Sequence, residues 1–287
     1  MSERSPARTL KTFNPKGKPI IIDFHTHIFP DKIAEKTIEL LEAKGGIHAF
    51  SDGTVTGLLS SLEAAGVDIA VTLPVLTNPK SFDGVNRFAK EINERFKNEK
   101  RRLISFVAIH PACEDIRGKM RELWRLGFSG VKIHPDYQET YINDEGYVEI
   151  LNAAREYDLT VITHAGVDFA YPDDVHCTPK LAAELLKKAP HEKFVFAHLG
   201  GEKMQAEFLD FFAESGVYFD TAYVLRYISP EIFNTWLSRV GADRILFATD
   251  SPWSDVKGDV EILNSFDLDE NTKGKLFSQN ARKLLGI

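Results

Sequence analysis

Residues 20–30 read IIIDFHTHIFP, and the prediction of the fold starts from this segment. Its three isoleucines and Phe24 predict a short strand that is buried on both faces. The strand ends in His25 and His27, whose side chains point to the same side because they lie two residues apart. Neutral imidazoles bind divalent metals, so the pair can form half of a metal site. The alternative is structural, with one histidine capping a turn and the other buried in the core.

Seven further apolar stretches follow along the chain. Each is short, continuous and rich in β-branched or aromatic residues, which is typical of strands buried in a parallel sheet. They cover residues 67–76, 103–111, 128–135, 159–166, 193–201, 217–223 and 244–252. Segments with helical periodicity lie between them. Residues 55–65, for example, place Leu58, Leu59 and Leu62 on one face, and the helix is expected to end before Gly66.

Eight buried strands, each followed by a helix, predict an α/β fold of the (β/α)8 TIM-barrel type, whose usual size is about 250 residues. A doubly wound open sheet is the alternative, but its first turn is normally rich in glycine, and here that turn carries HTHIFP. We therefore assign residues 20–287 to one barrel domain and the polar, basic residues 1–19 to an N-terminal leader. The long first connection is expected to hold an additional helix at residues 33–43. A loop at residues 45–54, GGIHAFSDGT, is expected to cover the site.

Composition limits the classes of partner. A net charge of −7 and a pI of about 5.8 offer no basic surface for nucleic acid. No apolar run approaches the roughly 20 residues that span a bilayer, and the N-terminus lacks the apolar core of a signal peptide. Cys113 and Cys177 do not make a disulfide framework. These features predict a cytoplasmic protein that acts on a small molecule, and they are compatible with a homo-oligomer.

Polar residues are concentrated at the carboxyl ends of the predicted strands, where barrel active sites lie. His25 and His27 end strand one, His110 strand three, Lys132 and His134 strand four, His164 strand five, His198 strand six and Asp250 strand eight. A barrel brings these ends together at one rim. His25, His27, His164 and Asp250 then supply three imidazoles and a carboxylate, a set that suits a zinc-like divalent ion and leaves room for water. Burying this set without a cation would be costly.

Four motifs carry a resemblance to a known family. HTH at the first strand, THAG at the fifth, AHLGG at the sixth and ATDSPW at the eighth resemble the amidohydrolase superfamily. The closest match in pattern is its metal-dependent branch that includes the aminocarboxymuconate-semialdehyde decarboxylase relatives, and the resemblance covers essentially the whole barrel. It implies that His25, His27 and His164 are metal ligands and that Asp250 is both ligand and proton acceptor. His198 would bind a second metal or handle protons.

Lys132 has two interpretations. In several two-metal members of the superfamily, a fourth-strand lysine that is carboxylated on its amine bridges the ions, and VKIHP resembles its setting. An uncarboxylated Lys132 would instead bind a substrate carboxylate. The single-metal branch lacks the bridge, so we expect one ion, Zn²⁺ first, with two ions as the alternative. His134 is expected to be structural because Pro135 marks the end of the strand.

The loops give weaker predictions for substrate binding. Arg226, after the seventh strand, is a candidate clamp for a carboxylate. Trp253 and Phe29 are candidate aromatic walls, and Tyr171 lies in a long loop at residues 167–179. Each of these side chains is as compatible with packing of the loops as with contact to a ligand.

The predicted site suits hydrolysis. A bound divalent ion lowers the pKa of its water and polarises a carbonyl, Asp250 can take the proton, and His198 can stabilise an oxyanion. The leading hypothesis is a metal-dependent hydrolase that cleaves a C–N or C–O bond of a small anionic metabolite. A decarboxylase that uses the same site is the second.

Two further classes are less well supported. A TatD-type deoxyribonuclease also begins with His-x-His but usually has a glutamate where this chain has Lys132. A non-catalytic, metal-stabilised small-molecule binder would be expected to have lost ligands, and no ligand is evidently lost.

Overall fold

The computed structural model describes residues 19–99 and 101–287. The leader assigned to residues 1–19 lies outside them, apart from Pro19. Within the described residues, short strands alternate with helices in the predicted order. The strands are β1 Ile22–Thr26, β2 Ile69–Thr72, β3 Arg102–Ser105, β4 Val107–Ala108, β5 Gly130–Ile133, β6 Thr160–Thr163, β7 Phe194–Phe196, β8 Tyr218–Asp220 and β9 Ile245–Leu246.

The helices lie close to the predicted segments. They are α1 Asp31–Gly45, α2 Val55–Ala65, α3 Phe82–Arg95, α4 Ile116–Arg125, α5 Glu145–Glu156, α6 Pro179–Lys188, α7 Gln205–Phe212, α8 Pro230–Val240, α9 Val256–Ser265, α10 Glu270–Gly274 and α11 Asn280–Leu285, with a π-helical turn at Lys275–Gln279 between the last two. Local capping explains several starts: the Thr54 hydroxyl accepts from the Gly57 N–H at α2, and Thr178 caps α6. None of the helices in the described part of the chain is long and apolar enough to cross a membrane.

All paired strands are parallel, and they form two sheets, β1–β2–β3 and β4 to β9 in order. The third predicted strand, residues 103–111, is split at Phe106. Two asparagines of α3 explain the split, since Asn93 hydrogen-bonds both backbone groups of Ser105 and Asn86 both backbone groups of Ala108. Side-chain amides thus replace strand partners at this point.

Backbone hydrogen bonds also join β1 to the segment that follows β9. The Phe24 N–H donates to the Phe247 carbonyl over 2.9 Å, and the Asp250 N–H donates to the His25 carbonyl over 2.8 Å. The strands therefore follow one another around the molecule in (β/α)8 order. The eighth predicted strand is shorter than residues 244–252 because its later residues bond to side chains, as the Thr249 N–H does to Asp23 Oδ1.

A bulge in β1 places the first polar residues. Three steps along β1, from Asp23 to Thr26, pair with two steps along β2. Phe24, before the change of register, belongs to the smaller of two hydrophobic clusters and meets Phe106 edge-on at 5.8 Å. His25 follows directly and faces polar groups. Bulges commonly re-aim side chains beside active sites.

Candidate metal centre

Three ligand atoms converge at the end of β1. His25 Nε2 and His27 Nε2 lie 3.1 Å apart, and Asp250 Oδ1 is 3.2 Å from the first and 3.1 Å from the second. Two ligand atoms bound to one ion at about 2.1 Å are themselves separated by about 3 Å. The spacing of the trio therefore matches one face of a metal coordination shell.

The protons of the two imidazoles also fit metal binding. His27 Nδ1 lies 2.8 Å from the Leu73 carbonyl, which can only accept, so Nδ1 carries the proton. His25 Nδ1 lies 2.8 Å from Asp220 Oδ2, which places its proton on Nδ1 in the same way. Both Nε2 atoms then present lone pairs to each other and to a carboxylate. Only a cation makes such an arrangement favourable, and divalent ions take neutral imidazole and carboxylate together.

Asp250 is held in place through its backbone and through Asp23. The Thr249 hydroxyl donates to Asp23 Oδ2 over 2.6 Å, which ties the residue before Asp250 to β1. Asp250 has a φ of 69°, and His198 and Tyr223, which follow β7 and β8, have φ values of 61° and 66°. Left-handed backbone is uncommon outside glycine, and at these three positions it turns the chain shortly after a strand ends.

Lys132 is completely buried beside the trio. Its Nζ lies 3.4 Å from His25 Nε2, so the ammonium donates to the lone pair that would bind a metal. Burial lowers the pKa of Lys132 to about 8, while the carboxylates of Asp220 and Asp250 oppose the change. The fourth-strand lysine predicted to serve a second metal or the substrate thus lies within the site.

His164 and His198 form a second pair of imidazoles. His198 Nδ1 lies 3.0 Å from the Ala222 carbonyl, so it carries the proton and leaves Nε2 as an acceptor. His164 Nδ1, 3.1 Å away, therefore donates to His198 Nε2. This leaves His164 Nε2 as a buried lone pair without a hydrogen-bond partner. Burial, above all, lowers the pKa of His164 and of His25 well below the ordinary value, which keeps both in the neutral form that ligates metals.

The predicted four-ligand set is only partly assembled. His25, His27 and Asp250 form one group of potential ligands, whereas His164 groups with His134 and Asp168. The rings of His134 and His164 are 4.3 Å apart and within 5° of parallel. Their lone pairs therefore run side by side and do not meet at one point, so this second group is poorly shaped for an ion. The carboxylate oxygens nearest to His164 Nε2 belong to Asp136 and Asp168, at 3.8 and 3.9 Å.

Sequence reasoning missed three acidic residues near the site. Asp220 lies at the carboxyl end of β8, and the position alone would have identified it, as it did Asp250. Asp168 lies four residues after His164, and Asp136 two residues after His134. His134, expected to be structural, stacks on His164 and lies 3.6 Å from Asp168. Burial raises the pKa of Asp168 and of Asp220 to about 6.

Arg226 has no carboxylate partner among the described residues within ion-pair distance. Its guanidinium donates to the Ser254 hydroxyl and lies 4.7 Å from the centre of the Phe50 ring. The Ser254 hydroxyl in turn donates to Asp259 over 2.5 Å. The Ser254 hydroxyl thus links Arg226 to the buried Asp259 carboxylate, whose charge the guanidinium partly offsets. Trp253, by contrast, is buried in its loop, where its backbone N–H donates to the backbone carbonyl of Asp250.

The first connection packs over the loops at this end of the barrel. Lys44, at the end of α1, places Nζ 3.7 Å from the centre of the Tyr171 ring, which meets the Tyr137 ring edge-on at 5.3 Å. The Phe50 N–H donates to the Pro252 carbonyl, and the Phe29 N–H donates to Gly53. Tyr171 and Phe29 therefore contact the loop at residues 45–54 or its supporting helix.

Comparison with solved structures shows the fold. A 5-carboxyvanillate decarboxylase from Novosphingobium aromaticivorans, complexed with manganese and a nitrobenzoic acid, has a TM-score of 0.72 and 17% identity, covering 94% of this chain and 96% of that chain. A 2,6-dihydroxybenzoate decarboxylase from Rhizobium has a TM-score of 0.68 and 17% identity, covering 93% of this chain and 99% of that chain. An uncharacterised TIM-barrel protein from Bordetella bronchiseptica has a TM-score of 0.74 and 16% identity, covering 92% of this chain and 98% of that chain. These likenesses confirm the predicted TIM-barrel fold.

Comparison with sequences identifies the family. A search of curated proteins gave no match. The family model described as amidohydrolase matches residues 22–287, which include both histidines of HTH and Asp250. The predicted resemblance is thus confirmed, and with it the assignment as a metal-dependent enzyme. The chain belongs to the amidohydrolase family.

Proposed function

We propose that the protein is a metal-dependent decarboxylase that acts on a small carboxylic acid with a flat, conjugated body. The observation that carries the proposal is the buried ammonium of Lys132, 3.4 Å from a ligand nitrogen of the trio. A substrate carboxylate placed between the metal and Lys132 would meet positive charge on two sides. The structural neighbours named as decarboxylases of aromatic acids support the same choice.

His25, His27 and Asp250 would hold the ion, and the bare Nε2 of His164 makes it the candidate for a fourth ligand. Zn²⁺ is the ion expected from the ligand types, and the manganese in a structural neighbour makes Mn²⁺ the alternative. The bound ion would supply the charge that fixes and polarises the substrate's acid group. One ion is favoured, because the second group of potential ligands has stacked rings.

Asp250 is the group proposed to move the proton. When the C–C bond to the carboxylate breaks, its electron pair stays on the substrate carbon, which must gain a proton as CO₂ departs. The Asp250 carboxyl lies at the trio and can deliver that proton. His198 has both ring nitrogens engaged, with Ala222 and His164, so it serves to position His164.

Arg226 and the aromatic loop residues are proposed to recognise the rest of the substrate. The guanidinium of Arg226, which makes no direct ion pair with a described carboxylate, suits a second anionic group. The rings of Tyr137 and Tyr171 form an edge-on pair on loops at this end of the barrel, a contact surface suited to a planar body. Trp253 and Phe29 would support these loops from within.

Hydrolysis of a C–N or C–O bond is the second candidate. It is favoured by the position of Asp250 Oδ1, within 3.2 Å of two ligand nitrogens, where it can take a proton from water on the same ion. The two reactions differ in their products. Decarboxylation releases CO₂ and the acid less one carboxyl group, whereas hydrolysis adds water and releases no CO₂.

Product analysis tests the proposal. The protein is loaded with Mn²⁺ or Zn²⁺ and incubated with carboxyl-¹³C hydroxybenzoates, including 2,6-dihydroxybenzoate, and with a parallel set of amides and lactones. We expect ¹³CO₂ in step with loss of acid, and none from Asp250→Asn. Cleavage of amides or lactones without CO₂ release would replace the decarboxylase assignment with the hydrolase.

Lys132→Gln distinguishes one metal from two. We expect the variant to keep one ion per chain and to bind it at least as tightly, because a buried positive charge beside the ligands is removed. The ion content is measured by mass spectrometry after dialysis against Mn²⁺ or Zn²⁺, with the exposed Lys187→Gln as a control. A fall from two ions to one would instead show that Lys132 is carboxylated and bridges them.

The pKa of Lys132 predicts a pH dependence. Because burial lowers this pKa from 10.5 to about 8, the ammonium is fully present below that pH and is lost as the pH rises through it. A bound divalent cation would lower this pKa further by repulsion, so the KM of the metal-loaded protein for a carboxylate substrate should rise as the pH increases through a value below about 8. Steady-state kinetics across this range test it. A wild-type KM as flat as that of Lys132→Gln would contradict it.

A further inference from the structure

Asp220, at the carboxyl end of β8, contacts the imidazole of His25 and the backbone of His198 and Ala222. Its Oδ2 lies 2.8 Å from His25 Nδ1. Its Oδ1 accepts from the backbone N–H of His198 over 2.8 Å and from the backbone N–H of Ala222 over 3.1 Å. The side chain is completely buried, so water does not compete for these bonds.

The contact with His25 decides which of its nitrogens can bind a metal. A neutral imidazole carries one proton, and a carboxylate can only accept. The proton of His25 therefore lies on Nδ1, and Nε2 is left bare. The Lys132 ammonium, 3.4 Å from Nε2, supports this assignment, since it too can only donate.

The contacts with backbone extend the same control to His164. The Ala222 N–H bond fixes the peptide segment whose carbonyl accepts from His198 Nδ1. His198 then has only Nε2 available as an acceptor, and it takes the proton of His164 Nδ1. His164 Nε2 is left bare at the far end of this chain. Asp220 thus sets the proton position of His25 directly, and it holds in place the backbone segment that sets the proton order of His198 and His164.

We propose that Asp220 is a positioning residue that selects Nε2 as the metal-binding nitrogen, directly on His25 and through His198 on His164. This inference rests on the metal centre of the proposed function but not on the reaction that the centre performs. Partners of this kind typically change metal affinity by 10–100-fold when they are replaced.

Asp220→Asn gives the sharpest test. The Asn oxygen is retained at Oδ1 by the two backbone donors, so the amide N–H₂ must face His25 Nδ1. The proton of His25 is then driven to Nε2, where it blocks the metal. We expect the affinity for Mn²⁺ and Zn²⁺, measured by competition with a chelating indicator and without substrate, to fall by about 10–100-fold. Asp269→Asn, at the exposed N-terminal cap of α10, should leave the affinity unchanged.

Nitrogen NMR of the histidine rings tests the proton positions themselves. In the metal-free wild-type protein, His25 and His164 should carry their protons on Nδ1, and in Asp220→Asn His25 should carry it on Nε2. The wild-type measurement holds even if the variant fails to fold, and a proton on Nε2 of wild-type His25 would overturn the proposal. A folded Asp220→Asn variant with unchanged metal affinity would also overturn it. The same holds for a wild-type protein that binds neither Mn²⁺ nor Zn²⁺. Absence of CO₂ release with metal bound would count only against the decarboxylase.

Discussion

Asp250→Asn is expected to lower turnover by about 10³-fold, because an amide cannot carry the proton that either candidate reaction requires. The substitution keeps the side-chain volume and one oxygen that can face the ion. The backbone bonds of Asp250 to His25 and Trp253 are untouched, so the fold should be retained. Single-turnover rates of the metal-loaded variant measure the effect apart from changes in substrate binding.

Two comparisons make that result specific. Metal content must be determined on the same sample, since a loss of metal would also abolish turnover. Asp269→Asn, which alters only an exposed helix cap at α10, should behave as wild type. If metal-loaded Asp250→Asn turned over as fast as the unaltered protein, Asp250 would not transfer the proton.

The sequence was sufficient for the barrel because eight short, continuous apolar runs alternate with segments of helical periodicity. Helix α2 begins and ends as predicted, since Thr54 caps its start and Gly66 follows its end. The split at Phe106 was not predictable. It depends on Asn86 and Asn93 of α3 reaching β3 and β4, a contact that local patterns do not encode.

The sequence predicted some of the residues that meet at the site but none of their atomic contacts. His25, His27 and Asp250 converge because a barrel brings the ends of adjoining strands together. The direction of the His164 ring depends on His198, 34 residues later in the chain. The position of the proton on His25 depends on Asp220, 195 residues later. Such choices are made by hydrogen bonds across the barrel. Strand position would have indicated Asp220, but only the structure shows which nitrogen it engages.

These atomic details share one electrostatic feature, an excess of buried acceptors. His164 Nε2 and Asp136 Oδ2 are buried without hydrogen-bond partners, and three acceptors meet at the trio. Among the described residues of the trio's immediate surroundings, Lys132 is the cation in contact. Such a site is unfavourable on its own and becomes favourable when a divalent ion neutralises it. Metal binding should therefore be coupled to folding stability as well as to catalysis.

Removing the metal is accordingly expected to abolish activity and to lower the melting temperature together. An ion that binds only the native state at about 1,000 times its Kd adds about 4 kcal/mol to the free energy of unfolding. For a chain of this size that corresponds to a fall in Tm on the order of 10 °C on chelation. Calorimetry in chelator and in Mn²⁺ or Zn²⁺ measures the shift.

His27→Ala is the matched variant for that experiment. It removes one ligand of the trio, so its Tm should respond much less to added metal than the wild-type Tm. Replacing exposed His48, which contacts Glu42 and Phe50, should preserve the full metal-dependent shift. An identical wild-type Tm in chelator and in metal would show that the buried acceptors are neutralised in another way.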